Sequence, residues 1–287
     1  MSNRVFHNSD NKQINFLDSR FYTVDNITFY PSVTTVLGVY PKGYGYEKWI
    51  KENGENADEI LEKAGDEGSK VHDAIDNLIN GREVKWTHTF VDTLQLQTVE
   101  SSAKFIDDCK NGLVSKYHKE VQFYNLLEWQ MILRFVDFTE KYEPIFIANE
   151  FNIISDEMRI GGTLDIVCDI AGERWLIDIK TSNYIHKTHE LQLAVYAKMF
   201  NEKNPDMPID RTGILWLKAA TRTEGKGKAI QGIGWQLKEF DRHYEESYKL
   251  FQHIRAIWDE ENPNYKPKNM IFPDRLKIKL LKPIGSM

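Results

Sequence analysis

The chain has 287 residues, 41% of them hydrophobic, enough for one large α/β domain or a domain with an appended subdomain. A formal charge of −6 speaks against strong nonspecific binding of polyanions by the whole surface, so any nucleic-acid contact has to be local. The two cysteines, Cys109 and Cys168, form no CxxC pair, which argues against a four-thiolate iron–sulfur cluster or a structural zinc site and fits a reducing compartment.

No apolar signal core follows Met1, and no stretch approaches a membrane span. The expectation is a soluble protein of the cytoplasm, bacterial or that of a phage-infected cell. Residues 14–37 read as short strands and turns, with 21–24 and 27–30 flanking Asp25-Asn26. Pro31-Ser32-Val33-Thr34 then enters a helix capped by Ser32 or Thr34. Segments 44–50 and 57–64 are helical and charged, and the run 47–67 is strongly acidic. Residues 65–79 form a stronger helix, with Val71, Ile75, Leu78 and Ile79 as its apolar stripe and Gly81 as its stop. A further helix covers 91–111, marked by Leu94, Val99, Phe105 and Ile106.

From Tyr117 the texture turns β-branched and aromatic, and 119–124, 129–135 and 144–154 read as strands. They lead into a hairpin of 160–169 and 174–180, turned at Ala171-Gly172, where glycine supplies the positive φ of a short loop. Residues 187–201 are a helix that buries Leu191, Ala194, Val195 and Met199. A second hairpin, 213–219 with 233–240, is joined by a polar, glycine-rich connector that is basic at Arg222, Lys226 and Lys228. A last helix, 242–259, precedes a basic, proline-containing tail. This order predicts a mixed α/β core preceded by a mostly helical region. The expected division is 1–116 covering the site, 117–262 as core and 263–287 as tail, integrated into one domain.

The first hairpin carries the chemistry. A turn at Ala171-Gly172 sets Asp165 opposite Asp178, with Cβ atoms about 5 Å apart. Lys180, two residues on, projects from the same face as Asp178. Opposed like charges destabilise a sheet. The apolar neighbours Trp175-Leu176-Ile177 and Ile179 mark the strand as buried, where charges require compensation. An isolated Asp-x-Lys would also suit a solvated surface pair, but with Asp165 opposite, a divalent cation is the better explanation. The chemistry that follows is phosphodiester hydrolysis. Ile179 would add its main-chain carbonyl as an oxygen ligand, and Lys180 would orient water or stabilise negative charge.

Glu150, Gly162-Thr163-Leu164-Asp165, Asp178-Ile179-Lys180-Thr181 and Gln192-x-x-x-Tyr196 stand in the order and spacing of the PD-(D/E)xK nuclease superfamily. Within it the chain most resembles the RecB-type exonuclease branch, which includes mitochondrial genome maintenance exonuclease-like proteins. The likeness spans roughly residues 149–200, with weaker matches at Pro31-Ser32-Val33-Thr34 and Gly68-Ser69-Lys70-Val71-His72. It implies a restriction-endonuclease-like core, a central mixed β-sheet flanked by helices, one or two Mg²⁺ or Mn²⁺ ions, and cleavage of DNA. It assigns Glu150 to support of the metal cluster and His72 to metal ligation. Bottom-up, His72 at the edge of its apolar stripe is as readily a helix-surface or satisfied core histidine.

Gln192 and Tyr196, at i and i+4, share one helix face. The resemblance has them contact nucleic acid or brace the lysine, and a plain polar face is the other reading. Thr181 and Ser182 would donate to a phosphate or cap the next segment. Arg222, Lys226, Lys228 and the tail would touch phosphates, and Tyr44, Tyr46 and Trp49 would stack on single-stranded bases or pack the subdomain. No G-x4-G-K-[ST] sequence occurs, so no ATP-driven motor is expected, and no G-x-S-x-G elbow is present. The expected activity is a metal-dependent DNA exonuclease acting from free, single-stranded ends. A structure-specific endonuclease of the same superfamily and a non-catalytic nucleic-acid-binding module stay open. Nothing in the chain indicates a membrane or names a protein partner.

Overall fold

A computed structural model describes residues 12–16, 19–86, 124–218, 234–240 and 244–267. Its elements run β1 (Lys12–Phe16), β2 (Ser19–Thr23), β3 (Tyr30–Pro31), α1 (Val33–Leu37), α2 (Gly43–Asn53), α3 (Ala57–Ile79), α4 (Leu126–Tyr142), β4 (Ile145–Ser155), β5 (Ile160–Ile170), β6 (Glu173–Lys180), α5 (Lys187–Lys203), β7 (Arg211–Trp216), β8 (Gln236–Glu239) and α6 (Tyr244–Glu261). The central sheet is mixed, in the order β4-β5-β6-β7-β8, antiparallel except where β6 pairs in parallel with β7. That parallel step needs a crossover, and α5 supplies it. β1, β2 and β3 form a small antiparallel sheet of their own. Among the described residues no helix is long and apolar enough to cross a membrane.

Two cores sandwich the central sheet. On one side α1, α5 and α6 bury Val36, Leu191, Val195, Met199, Phe251 and Trp258 against Leu164, Val167 and Leu176. On the other, α3 and α4 bury Val71, Ile75, Met131, Phe135 and Phe138 against Ile166, Cys168, Ile177 and Ile179. A buried side chain of this size contributes about 1.5–3 kcal/mol relative to exposure, so helices and sheet hold each other. Both cores draw on residues before position 80 as well as on the strands.

Trp129–Phe135, expected as a strand, lies inside helix α4. Its apolar residues Met131, Ile132, Phe135 and Phe138 follow helical spacing, and Asn125 with Glu128 forms a reciprocal capping box that starts the helix. The expected strand at 27–30 shrinks to β3, because Asp25 instead accepts the Ile27 and Thr28 N–H groups in a turn. Segments 57–64 and 65–79 are one continuous helix, α3, which passes through Gly65 and Gly68. The expected helix at 91–111, most of the expected strand at 119–124, the connector with Arg222, Lys226 and Lys228, and the end of the basic tail lie outside the described residues.

Candidate active site

The hairpin of β5 and β6 keeps the register that its turn dictates, down to Ile166 opposite Ile177. Asp165 and Asp178 are the next step, and there the ladder opens. On β5, Leu164 packs with α5 and α6 while Ile166 packs with α3 and α4, so the strand's alternation breaks at Asp165. The freed carboxylate turns into the gap, where its Oδ2 accepts the Ile179 N–H at 2.7 Å. Ile179, whose carbonyl is the expected metal ligand, donates its N–H to Asp165.

Helix α3 adds an imidazole. Gly68 lets it approach the end of β6, since a Cβ there would stand 3.0 Å from the Thr181 hydroxyl. One turn later His72 Nδ1 lies 3.3 Å from Glu150 Oε1 and 3.8 Å from Asp165 Oδ1. Glu150 belongs to the middle of β4, between Asn149 paired with Ile166 and Phe151 paired with Leu164. Ligand atoms of His72, Glu150 and Asp165 all fall within 4.8 Å of one another.

Asp178 faces a different set. It is 2% exposed; its Oδ1 accepts from Gln192 Nε2 at 3.1 Å, and its Oδ2 stands 2.5 Å from Lys180 Nζ. That second oxygen makes an ion pair but no aligned hydrogen bond. Gln192 also donates to the Tyr196 hydroxyl at 3.4 Å, and both side chains are buried. They brace the aspartate, where the sequence left open a brace on the lysine or a contact with nucleic acid. Tyr196 in turn lies over Gly162, where a Cβ would come within 2.2 Å of its ring. Gly161 has the same relation to Tyr22, whose hydroxyl lies 2.9 Å from the Thr163 hydroxyl. Sequence reasoning missed Tyr22, Gly161 and this function for Gly162. The paired glycines beside Asp165 were the available signal, since glycine inside a strand marks a close approach.

The electrostatics follow from burial. Burial foremost raises Asp165 and Asp178 above the usual carboxylate range, against the lowering pull of His72 and Lys180. Burial opposes the charge on His72, but Asp165 and Glu150 overcome it and lift the imidazole to about 9. Lys180 is likewise opposed by burial and raised on balance by Asp178 and Asp165, which favours its ammonium form. A divalent cation suits this donor set: two carboxylates and an imidazole converge, and the acids they crowd are costly to ionise without a counter-charge.

The residues line a cleft of about 1020 Å³. Thr181, Ser182, His186, His189, Lys42 and Tyr46 also line it. The Ser182 hydroxyl is engaged with the Tyr184 carbonyl. The family model of the PD-(D/E)XK nuclease superfamily matches residues 44–267, a span that holds His72, Glu150, Asp165, Asp178, Lys180, Gln192 and Tyr196. The chain belongs to the PD-(D/E)XK nuclease superfamily. Asp165 and Asp178-Ile179-Lys180 spell the superfamily's motif, with Leu164 in place of its proline. Membership supports nuclease activity, hence a nucleic-acid substrate, and the superfamily generally uses divalent metals. A comparison with curated proteins finds no match.

Proposed function

We propose that this PD-(D/E)XK nuclease is a metal-dependent DNA exonuclease of RecB type that hydrolyses phosphodiester bonds from single-stranded ends. The observation that carries the reading is the convergence of His72, Glu150 and Asp165 beside the Asp178–Lys180 pair on the floor of one cleft. His72, Glu150, Asp165 and Asp178 would hold Mg²⁺ or Mn²⁺. Such an ion supplies charge neutralisation at the phosphate and lowers the pKa of water.

The chain's own residues divide the remaining work. Gln192 and Tyr196 keep Asp178 in place, and Asp178 keeps the Lys180 ammonium directed into the cleft. Lys180 donates hydrogen bonds to the attacking water or to the developing charge on phosphorus. Thr181, at the mouth of the site, can donate to a neighbouring phosphate. The single-strand preference draws on Tyr46: it lines the cleft, stacks on Trp49 with ring centres 6.1 Å apart, and carries Lys42 Nζ 4.5 Å above its ring. A half-buried aromatic cluster flanked by a cation at the cleft wall can meet an unpaired base, which a duplex would not present.

The test uses end-labelled linear DNA and a closed single-stranded circle, with Mn²⁺ or Mg²⁺. The parent protein should degrade the linear strand and leave the circle intact. Asp178→Ala and Lys180→Ala should fold yet lose cleavage by a factor of at least about 100, the loss typical of a removed transition-state donor. Undiminished cleavage by both variants would sink the assignment, and cutting of the circle would make the enzyme an endonuclease.

A further inference from the structure

We infer that Asp76 and Asn149 form a clamp that fixes the rotation of Glu150, which makes them positioning residues for the metal site; this rests on the reading of His72, Glu150 and Asp165 as that site. Helix α3 presents two side chains one turn apart to β4. His72 meets Glu150, and Asp76 Oδ1 accepts from Asn149 Nδ2 at 2.5 Å. Asn149 and Glu150 are consecutive residues of one strand, and consecutive strand residues point to opposite faces. Here both reach the same helix.

The backbone explains how. Glu150 has φ 44°, a left-handed conformation that a glutamate rarely adopts. The ladder has no pair at Glu150, although its neighbours Asn149 and Phe151 pair with Ile166 and Leu164. Strain of this kind persists only where the surroundings over-determine it. Asn149 is the residue before the kink, and α3 holds it by its amide. A return of Glu150 to extended backbone would restore alternation and turn its carboxylate away from His72. Asp76 is itself held, since Asn80 Nδ2 and Arg82 Nη2 each donate to it at 2.9 Å. One helix therefore supplies the imidazole and locks the strand that brings the carboxylate to it.

The experiment is calorimetric titration of the metal-free full chain with Mn²⁺, alongside thermal unfolding of each protein. Asn149→Ala and Asp76→Ala should weaken Mn²⁺ binding about tenfold, the lower end of the loss when a residue that orients a ligand is removed. Asp76→Asn keeps an acceptor for Asn149 and should retain the parent affinity. Should Asp76→Ala fail to fold, Asn149→Ala decides alone. Parent-like Mn²⁺ affinity in Asn149→Ala would overturn the clamp. A parent protein that binds no Mn²⁺ would overturn the metal-site reading and the clamp with it.

Discussion

At position 162 a hydrogen atom is all that the packing admits. A methyl group there would stand 2.2 Å from Tyr196 Cε1 and 2.9 Å from its hydroxyl, on a ring that is 4% exposed and cannot swing into solvent. Gly162→Ala should therefore cost about 1–3 kcal/mol of stability by overpacking. It should also impair cleavage, because a displaced Tyr196 disturbs Gln192, and Gln192 holds Asp178. Gly65 is the counter-example: it sits inside α3 with open space around it, and Gly65→Ala should stabilise by about 0.5–1 kcal/mol. Urea unfolding of the two variants checks both signs, and a stable Gly162→Ala would refute the packing argument. The sequence displayed both glycines and the Asp165, Asp178 and Lys180 set, since motif spacing is a local property. It could not display which ring covers Gly162, because Tyr196 arrives from a helix beyond the next strand.

Elements were legible where local chemistry decides them. The turn at Ala171-Gly172 dictates the β5–β6 register, and Ser32, which accepts the Thr35 N–H, caps α1 as its residue type suggests. Helix α4 was misread because aromatic and β-branched residues favour strands on average. The burial period of Met131, Phe135 and Phe138 outweighs that preference once the helix packs on the sheet. Glu150 and His72 meet only through tertiary structure, so their pairing had to come from resemblance.

The start of α5 carries a prediction of its own. His189 accepts the His186 N–H through Nδ1, and burial, then the charges of Lys180 and His186, hold its pKa down at about 3 from 6.5. The unfolded chain therefore binds a proton that the folded chain refuses between pH 6.5 and 3. Its contribution to stability is complete above pH 6.5 and is lost as the pH falls through that window. His189→Asn should lose less stability than the parent on acidification, read from urea midpoints at stepped pH. Parallel pH curves for the two proteins would refute a neutral, half-buried His189.

Over the whole molecule, the active site works against the fold that contains it. Three carboxylates, Glu150, Asp165 and Asp178, share one cleft with two cationic groups, His72 and Lys180. Burial makes Asp165 harder to ionise than in the unfolded chain, so at neutral pH its negative charge costs folding free energy that the two packed cores must offset. Asp165→Asn removes that charge yet keeps an oxygen to accept the Ile179 N–H. The metal-free variant should therefore be at least as stable as the metal-free parent. A divalent cation reverses the order. Binding to the folded state alone stabilises by about 2.7 kcal/mol when the free ion is at 100 times its Kd. Mn²⁺ should raise the parent's unfolding midpoint in this way and leave that of Asp165→Asn nearly unchanged, so the two stability curves cross as the ion is added. Thermal unfolding across a Mn²⁺ series reads both quantities at once. A variant less stable than the parent without metal would show that Asp165 serves packing first. A variant that gains as much from Mn²⁺ as the parent would show that the ion binds elsewhere.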